Sequence, residues 1–137
     1  MGNSATFDYT MMLEADGTLV FGTGPANSSS ACDYLSSTDA IEFDRWTHVA
    51  FEIDQDAGTK TIWVDGEVFE TCSGLQNKNP IATGALAIGM NKWNGGSNLP
   101  FVGVIDEVRV SDTLRYTTSF TPEVYVENDA DNYIRLQ

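Results

Sequence analysis

The sequence predicts an all-β fold of antiparallel strands arranged as a two-sheet sandwich, and two observations lead to this prediction. Short runs rich in β-branched and aromatic residues recur along the 137 residues, and each is followed by a turn rich in Gly, Asn, Asp or Ser. The 3.6-residue hydrophobic repeat of an amphipathic helix is hard to find in any segment. Eight or nine strands without an internal repeat fit such a sandwich.

The N-terminal part predicts a hairpin followed by a loop. Strands at about residues 6–13 and 18–22 flank Asp16-Gly17, a pair that favours a tight turn with positive φ. The next stretch, PANSSSACDYLSSTDAIEFD, is polar and built from small residues. It predicts a surface loop that ends in a strand near residues 39–43.

The clearest strand pattern is RWTHVAFEIDQDAGTKTIWVDGEVFETC, residues 45–72. His48 opens a strand that ends near residue 53, DQDAGT forms a turn that also accounts for its two aspartates, and residues 60–64 return. Asp65-Gly66 then turns the chain into a third strand, which completes a β-meander. Farther on, ALAIGMN, FVGVIDEVRVS and VYVENDADNYIRLQ predict the remaining strands, and KWNGGSNLP is expected to be a long loop.

The acidic composition argues against several kinds of partner. Twenty acidic residues against seven basic ones give a net charge of −13, so nucleic acid is not expected, because phosphates are bound by Lys and Arg. No apolar run approaches the roughly 18 residues of a membrane helix, so membrane insertion is not expected either. The start, MGNSATFDY, lacks the features of a signal peptide, so a secreted protein would have had its signal removed or carry it upstream.

Cys32 and Cys72 leave two alternatives open. If they pair, they close a loop of about 40 residues, which is worth about 3–4 kcal/mol in the chain-entropy model. If they do not, they are two buried thiols. Neither cysteine lies in a zinc-binding spacing. We expect the disulfide, because other features indicate a location outside the cytosol.

Three motifs occur in one order between residues 45 and 122: WTHVA from Trp46, WVDG from Trp63 and GVIDEVRV from Gly103. In this order they resemble the laminin G-like, concanavalin A-like jelly-roll domains, including those of bacterial and phage surface proteins. The resemblance implies one jelly-roll domain over residues 1–137. It also implies a binding or adhesion module, not an enzyme, in an extracellular, cell-surface or virion protein.

The start of the chain departs from the family pattern, because only about fifteen residues precede Asp16 and the family usually has further strands there. Three explanations stay open: the first strands are missing, the sandwich is shortened, or DADNYIRLQ at the C-terminus fills the vacant edge as part of a repeat array. An unfilled edge favours a homo-oligomer formed through the open sheet edge.

Asp106 is the candidate metal ligand. Alternation along VIDEVRV places Val104, Asp106, Val108 and Val110 on one face, which we expect to be the core face. A buried acid needs hydrogen bonds or a cation. Asp106 therefore either accepts backbone N–H groups from a neighbouring loop or, as in some relatives of the family, binds one structural calcium ion. Glu107 faces the opposite side, so the two acids are not expected to form a catalytic pair.

Catalysis is not expected. Laminarinase-type hydrolases share the fold that the resemblance implies, and they need acids spaced as Glu-x-Asp-x-x-Glu or Glu-x-Asp-x-Glu on one strand face. We take Glu42 and Asp44 as the nearest approach, with Trp46 at the next position on their face. His48, the one histidine, is expected to be structural, with its ring nitrogens bonded to the backbone or to a carboxylate.

The loop GMNKWNGGSNLP predicts a sugar site. The indole of Trp93 would stack on a sugar ring while neighbouring polar groups bind its hydroxyls, and these are Asn91, Lys92 and Asn94. In the alternative, Trp93 folds back over the edge of the sandwich. Weaker candidates are Trp63, whose strand position fits the core equally well, and Tyr34 in the polar ACDYLSS loop.

We therefore expect a glycan ligand, bound at these loops or on the concave sheet. The alternative is a protein partner, with the chain acting as an assembly module of a phage or bacterial surface protein. An assembly module should expose a flat apolar patch near the N-terminal gap, whereas a sugar binder should expose Trp93 beside its asparagines.

Overall fold

The computed structural model describes residues 9–23, 31–75, 87–92, 98–123 and 132–136, and these form an all-β structure with one short 3₁₀ turn, Ala31–Asp33. Every strand pairing is antiparallel. The strands are β1 Thr10–Leu13, β2 Leu19–Gly22, β3 Tyr34–Ser37, β4 Val49–Asp54, β5 Thr59–Val64, β6 Glu67–Ser73, β7 Met90–Lys92, β8 Asn98–Pro100, β9 Val108–Ser111 and β10 Asn132–Leu136.

Two three-stranded sheets, β1-β2-β3 and β4-β5-β6, carry the core, and β7-β8 and β9-β10 form two-stranded pairs. The first sheet contributes Leu19, Phe21 and Leu35 to the buried cluster, and the second contributes Ile62 and Val64. Within each strand these residues are two apart and therefore share a face. The two faces meet, which confirms the predicted antiparallel sandwich, and each buried side chain adds about 1.5–3 kcal/mol of stability.

The hairpin at Asp16-Gly17 is confirmed, with shorter strands than predicted. Gly17 has φ +87° and donates its N–H to the carbonyl of Glu14 at 3.1 Å, as in a type I turn followed by a left-handed residue. The carboxylate of Asp16 accepts the N–H of Thr18 at 3.0 Å. A β-carbon at position 17 would lie 2.7 Å from the carbonyl oxygen of Ile41, so the close approach of that segment requires glycine.

The predicted meander of β4, β5 and β6 is also confirmed. Asp65 and Gly66 have φ of +49° and +84° and connect the paired residues Val64 and Glu67, which is the two-residue hairpin with positive φ at both positions. A β-carbon at Gly66 would lie 1.8 Å from the carbonyl oxygen of Phe120. This glycine therefore allows the segment around Phe120 to dock on the turn.

Two neighbouring connections, a disulfide and a buried lysine, join the two sheets. Cys32 and Cys72 are bonded, with their Cα atoms 5.4 Å apart, which is the paired one of the two alternatives. Lys60, the cross-strand partner of Cys72, is 0% exposed. Its Nζ donates to the carbonyl oxygens of Asp33 at 2.8 Å and Phe21 at 3.2 Å. Burial lowers the pKa of Lys60 to about 8, although the negative charge of Asp33 opposes the shift.

The strand predicted near residues 39–43 is wrong. The strand of this region is β3, which begins at Tyr34, and the chain turns afterwards with φ of +55° at Asp39 and +63° at Asp44. A strand cannot continue through such residues, and aspartate tolerates this conformation better than most. Glu42 and Asp44 therefore do not share a strand face. Trp46 also lies outside a strand and is 68% exposed.

The predicted strand FVGVIDEVRVS is wrong over its first half. Only Val108–Ser111 forms a strand, β9, which pairs with β10. Glu107 has φ +51° just before it, which breaks the alternation of faces. Val102 is 92% exposed and Val104 72%, so the expected core face of valines around Asp106 does not exist.

The segment KWNGGSNLP, predicted to be all loop, contains strand β8, which pairs with β7. Residues 93–97 of that segment, and residues 6–8 of the predicted first strand, lie outside the described residues.

Candidate functional site

A groove of about 330 Å³ lies on the outer face of the β4-β5-β6 sheet. Its floor consists of the strand residues that alternate with the core residues, and its far wall is the segment of residues 114–117. The lining residues are Glu52, Asp54, Thr59, Thr61, Trp63, Val68, Leu114, Tyr116 and Thr117.

Glu52 anchors the wall of the groove to its floor. One carboxylate oxygen accepts the backbone N–H groups of Arg115 at 2.8 Å and Tyr116 at 2.9 Å. The other oxygen accepts the indole N–H of Trp63 at 2.9 Å. Hydrogen bonds to a charged acceptor contribute about 1.5–3 kcal/mol each, so this one side chain holds a segment that lies 63 residues farther along the chain.

An aromatic cluster continues the wall beyond Glu52. The rings of Tyr116 and Phe120 are stacked with centroids 3.7 Å apart, and the Trp63 ring lies 5.9 Å from the first and 5.8 Å from the second. Trp63 is consequently 3% exposed. Such a cluster adds about 0.5–1.5 kcal/mol per ring pair beyond the area that it buries, so the wall is a rigid part of the site.

The Asp65 turn connects the cluster to the segment before β4. The backbone N–H of His48 donates to the carboxylate of Asp65 at 2.9 Å, and the N–H of Asp65 donates to the carbonyl of His48 at 2.9 Å. The other oxygen of Asp65 lies 2.9 Å from the guanidinium of Arg45, which also contacts Glu42 at 3.1 Å. Burial lowers the pKa of His48, and the Asp65 charge opposes this shift.

The expectation for the ring of His48 is wrong in one respect. Its Nδ1 atom is buried and has no hydrogen-bond partner among the described residues, whereas we expected a backbone group or a carboxylate. The ring contacts aromatic rings instead, with its centroid 5.4 Å from that of Phe120.

Most of the predicted sugar site stays a prediction. Trp93 and Asn94 lie outside the described residues. Asn91 and Lys92 belong to β7, and the structure describes their backbone alone.

The structure corrects Trp63 as a sugar candidate and the predicted loop position of Tyr34, whose role as a ligand residue stays a prediction. Trp63 lines the groove but is almost fully covered by Tyr116 and Phe120, so its ring face is not offered for stacking and the core alternative holds. Tyr34 does not lie in a loop, because it opens β3 as the partner of Gly22. Its ring is half-buried, and burial together with the negative charge of Glu14 raises its pKa.

Asp106 is exposed, and its carboxylate accepts the N–H of Glu107 at 2.9 Å. In the part of the chain that the structure describes, no three His, Cys, Asp or Glu side chains are grouped to hold a metal ion. The described residues around Asp106 therefore do not form a calcium site on their own, and calcium binding stays a prediction.

Glu52 and Asp54 line the groove but were not predicted as ligand-binding residues. FEIDQD carries acids at every second position, which is closer to the hydrolase spacing than Glu42 and Asp44, and alternation along β4 could have revealed it. In the structure β4 ends at Asp54, whose carboxylate accepts the N–H of Ala57 at 2.8 Å. The third acid, Asp56, is exposed in the turn, where hairpin chemistry explains both aspartates.

An antiparallel sandwich with a polar groove on one sheet is the architecture of a binding module. The chain belongs to the concanavalin A-like lectin/glucanases superfamily, because a laminin G-like family model matches residues 1–120. Laminin G-like domains are typically non-catalytic binding modules. Comparison with curated proteins and with solved structures gave no match. Among the described residues, no helix has the length and apolar character needed to cross a bilayer.

Proposed function

We propose that the chain is a non-catalytic carbohydrate-binding module of an extracellular, cell-surface or virion protein, and that it binds a neutral glycan in the groove above β4-β5-β6. The observation that supports this proposal most directly is the chemistry of the groove lining. Hydroxyl and carboxylate groups occupy its floor, and an aromatic ring and aliphatic side chains form its wall.

This lining complements the two sides of a sugar ring. The hydroxyls of Thr59 and Thr61 can donate to or accept from sugar hydroxyls, and the carboxylate of Asp54 can accept from them. Leu114 and Val68, which are about half exposed, offer apolar surface to the C–H face of the sugar. A small number of fixed polar groups beside apolar surface is the usual composition of a small-molecule site.

The charge of the site favours a neutral ligand. Two carboxylates and no basic side chains are among the lining residues, and the whole chain carries a net charge of −13. A sulfated or otherwise acidic glycan would be repelled by this field. The predicted loop around Trp93 would extend the same site or form a second one.

A glycan array with neutral and acidic members tests the proposal. We expect binding to neutral glycans only, and we expect Thr61→Arg to abolish it because the long side chain fills the groove. Ser36→Arg is the matched control, since Ser36 is an exposed strand residue of the opposite sheet. Equal loss in both variants, or preference for acidic glycans, would contradict the groove site.

Two further experiments test whether the Trp93 loop and a calcium ion contribute to glycan binding. Trp93→Ala should reduce binding if the loop contacts the ligand, and unchanged binding would assign the ligand to the groove alone. Repeating the array with a chelator tests the single calcium ion predicted at Asp106, with Asp106→Ala as the matching variant. Binding that is insensitive to both would remove calcium from the proposal.

A second candidate function is protein–protein assembly, and the exposed apolar side chains of residues 101–105 favour it. Phe101, Val102, Val104 and Ile105 are all exposed, the two valines most of all. Contiguous apolar surface of this kind often marks a contact with another protein. Analytical ultracentrifugation tests self-association: a dimer that Val102→Asp converts to monomer would support assembly through this segment, and a monomer at all concentrations would exclude a homo-oligomer.

A further inference from the structure

The ring of His48 is the contact between the start of β4 and the segment that walls the groove. It meets Phe120 edge-on, with centroids 5.4 Å apart and planes at 85°, and Tyr116 at 6.3 Å and 84°. Those two rings are stacked on each other. Since Leu114, Tyr116 and Thr117 line the groove, anything that changes the ring of His48 acts directly on the wall.

This environment suits a neutral imidazole and not a charged one. The backbone of His48 is bonded in both directions to Asp65, at 2.9 Å each, which restricts movement of the residue. Its Nδ1 is buried without a hydrogen-bond partner among the described residues. An imidazolium donates from both ring nitrogens, so protonation places a charge and a donor at a buried atom that no acceptor of the described residues binds.

The described charged groups around His48 do not supply a hydrogen-bond acceptor for its Nδ1 atom. Asp65 is the closest counter-charge, and its two oxygens already bind the N–H of His48 and the guanidinium of Arg45. On the wall segment, the N–H groups of Arg115 and Tyr116 bind Glu52. Beyond the cluster, the hydroxyl of Ser119 donates to Glu67.

We propose that His48 is an acid-sensitive latch, whose protonation places an unpaired buried charge behind Tyr116 and Phe120 and thereby releases residues 114–120 from the sheet. The loss of the wall then lowers the affinity of the groove for its ligand, a consequence that rests on the proposed function. The latch itself does not depend on that function, because it is a property of the chain without ligand.

The direction of the pH effect follows from linkage. The pKa of His48 in the closed state is lowered from 6.5, chiefly by burial, while the Asp65 charge acts in the opposite direction. The released state therefore binds the proton more tightly, and the latch loses stability as pH falls below about 6.5. One proton changes the closed-to-released ratio by at most about tenfold per pH unit.

Proton NMR of the 137-residue chain tests the latch directly, because His48 is the one histidine. We expect its ring resonances to titrate below pH 6.5, and we expect the ring resonances of Tyr116 and Phe120 to shift with the same midpoint. Titration at or above pH 6.5, or aromatic resonances that do not follow His48, would overturn the latch. This measurement needs neither a variant nor a ligand, so it decides the latch even if no glycan binds.

Hydrogen exchange, corrected for intrinsic rates, supplies the second test. Between pH 6.5 and 5 we expect the amides of Arg115, Tyr116 and Phe120 to lose protection by up to about tenfold per pH unit, while β5 amides do not. His48→Phe keeps an aromatic ring and cannot titrate, so it should remove this dependence. Glu52→Gln is the comparison variant, since Glu52 is the carboxylate that accepts the amides of Arg115 and Tyr116. A pH dependence that persists in His48→Phe and disappears in Glu52→Gln would assign the effect to Glu52 and refute the latch.

Discussion

Replacing Lys60 by methionine tests how the core tolerates a buried charge. Lys60 is 0% exposed, its Nζ bonds two carbonyl oxygens, and it lies 4.9 Å from the centroid of the Phe21 ring. Methionine has a similar length and adapts to irregular space without carrying a charge. The carbonyl of Asp33 keeps a partner in the variant, because it also accepts the N–H of Thr23 at 2.8 Å.

The magnitude follows from the lowered pKa of Lys60. A change from 10.5 to about 8 means that the fold disfavours the charged amine relative to the neutral amine by about 3 kcal/mol, at 1.36 kcal/mol per unit. This penalty already includes the two hydrogen bonds of the ammonium group. The apolar replacement removes the penalty but takes one donor from each of two carbonyl groups, which costs about 1–2 kcal/mol in total. We expect Lys60→Met to be more stable than the wild type at pH 7 by about 1–2 kcal/mol, in line with other replacements of buried charges.

The pH dependence has a definite sign. Between about pH 8 and 10.5 the unfolded chain holds the Lys60 proton while the folded chain has lost it. The stability of the wild type therefore rises with pH in this window, by at most about 1.4 kcal/mol per pH unit, and Lys60→Met lacks the rise. Above pH 10 the effect reverses, because burial raises the pKa values of Tyr34 and Tyr116.

Urea denaturation at pH 7, 8 and 9.5, with the disulfide intact, measures both quantities. Lys78→Met removes the same charge from another part of the sequence and corrects for the change in net charge. A Lys60→Met variant that is less stable than the wild type at pH 7 would refute the energetic argument. So would a wild type whose stability, after the Lys78→Met correction, falls between pH 8 and 9.5.

Three other predictions concern stability. The double variant Cys32→Ser with Cys72→Ser should lower the free energy of unfolding by about 3–4 kcal/mol, because 40 residues separate the bonded cysteines. A loss of less than about 1 kcal/mol in urea denaturation would contradict this prediction. Gly66→Ala should lower thermal stability far more than Gly74→Ala. Both glycines have φ above +80°, but the Gly74 site is open, whereas a β-carbon at position 66 would overlap the carbonyl oxygen of Phe120. Equal melting temperatures would show that the docked segment moves easily. Glu52→Gln should lower the free energy of unfolding, measured by urea denaturation, by about 1–3 kcal/mol, because an amide cannot accept N–H groups on both of its sides. An unchanged urea midpoint would mean that Glu52 does not anchor the wall.

Local chemistry explains why the hairpins and the meander could be predicted. Gly17 and the Asp65-Gly66 pair adopt positive φ for reasons internal to the two dipeptides, and the strands beside them alternate with a period of two. The same local rules failed for the strand around Asp106, because Glu107 takes a left-handed conformation that its residue type does not favour.

The candidate site was harder to predict, because it depends on contacts between distant parts of the chain. Alternation shows that Glu52 and Asp54 share a face of β4, but it does not show what covers that face. The cover comes from residues 114–120, which are held by Glu52, by Gly66 and by ring contacts. These contacts join segments more than 50 residues apart, and they also decide that Trp63 is core.

The sequence by itself therefore determined the β class, the family, the main turns and which residues of the β4-β5-β6 meander share a strand face, since each of these depends on neighbouring residues or on a recognisable order of motifs. The tertiary structure alone decided which faces meet. It buried Lys60 between the sheets, left Val102 and Val104 exposed and built the groove. Burial is a property of two surfaces in contact, and a strand pattern describes only one of them.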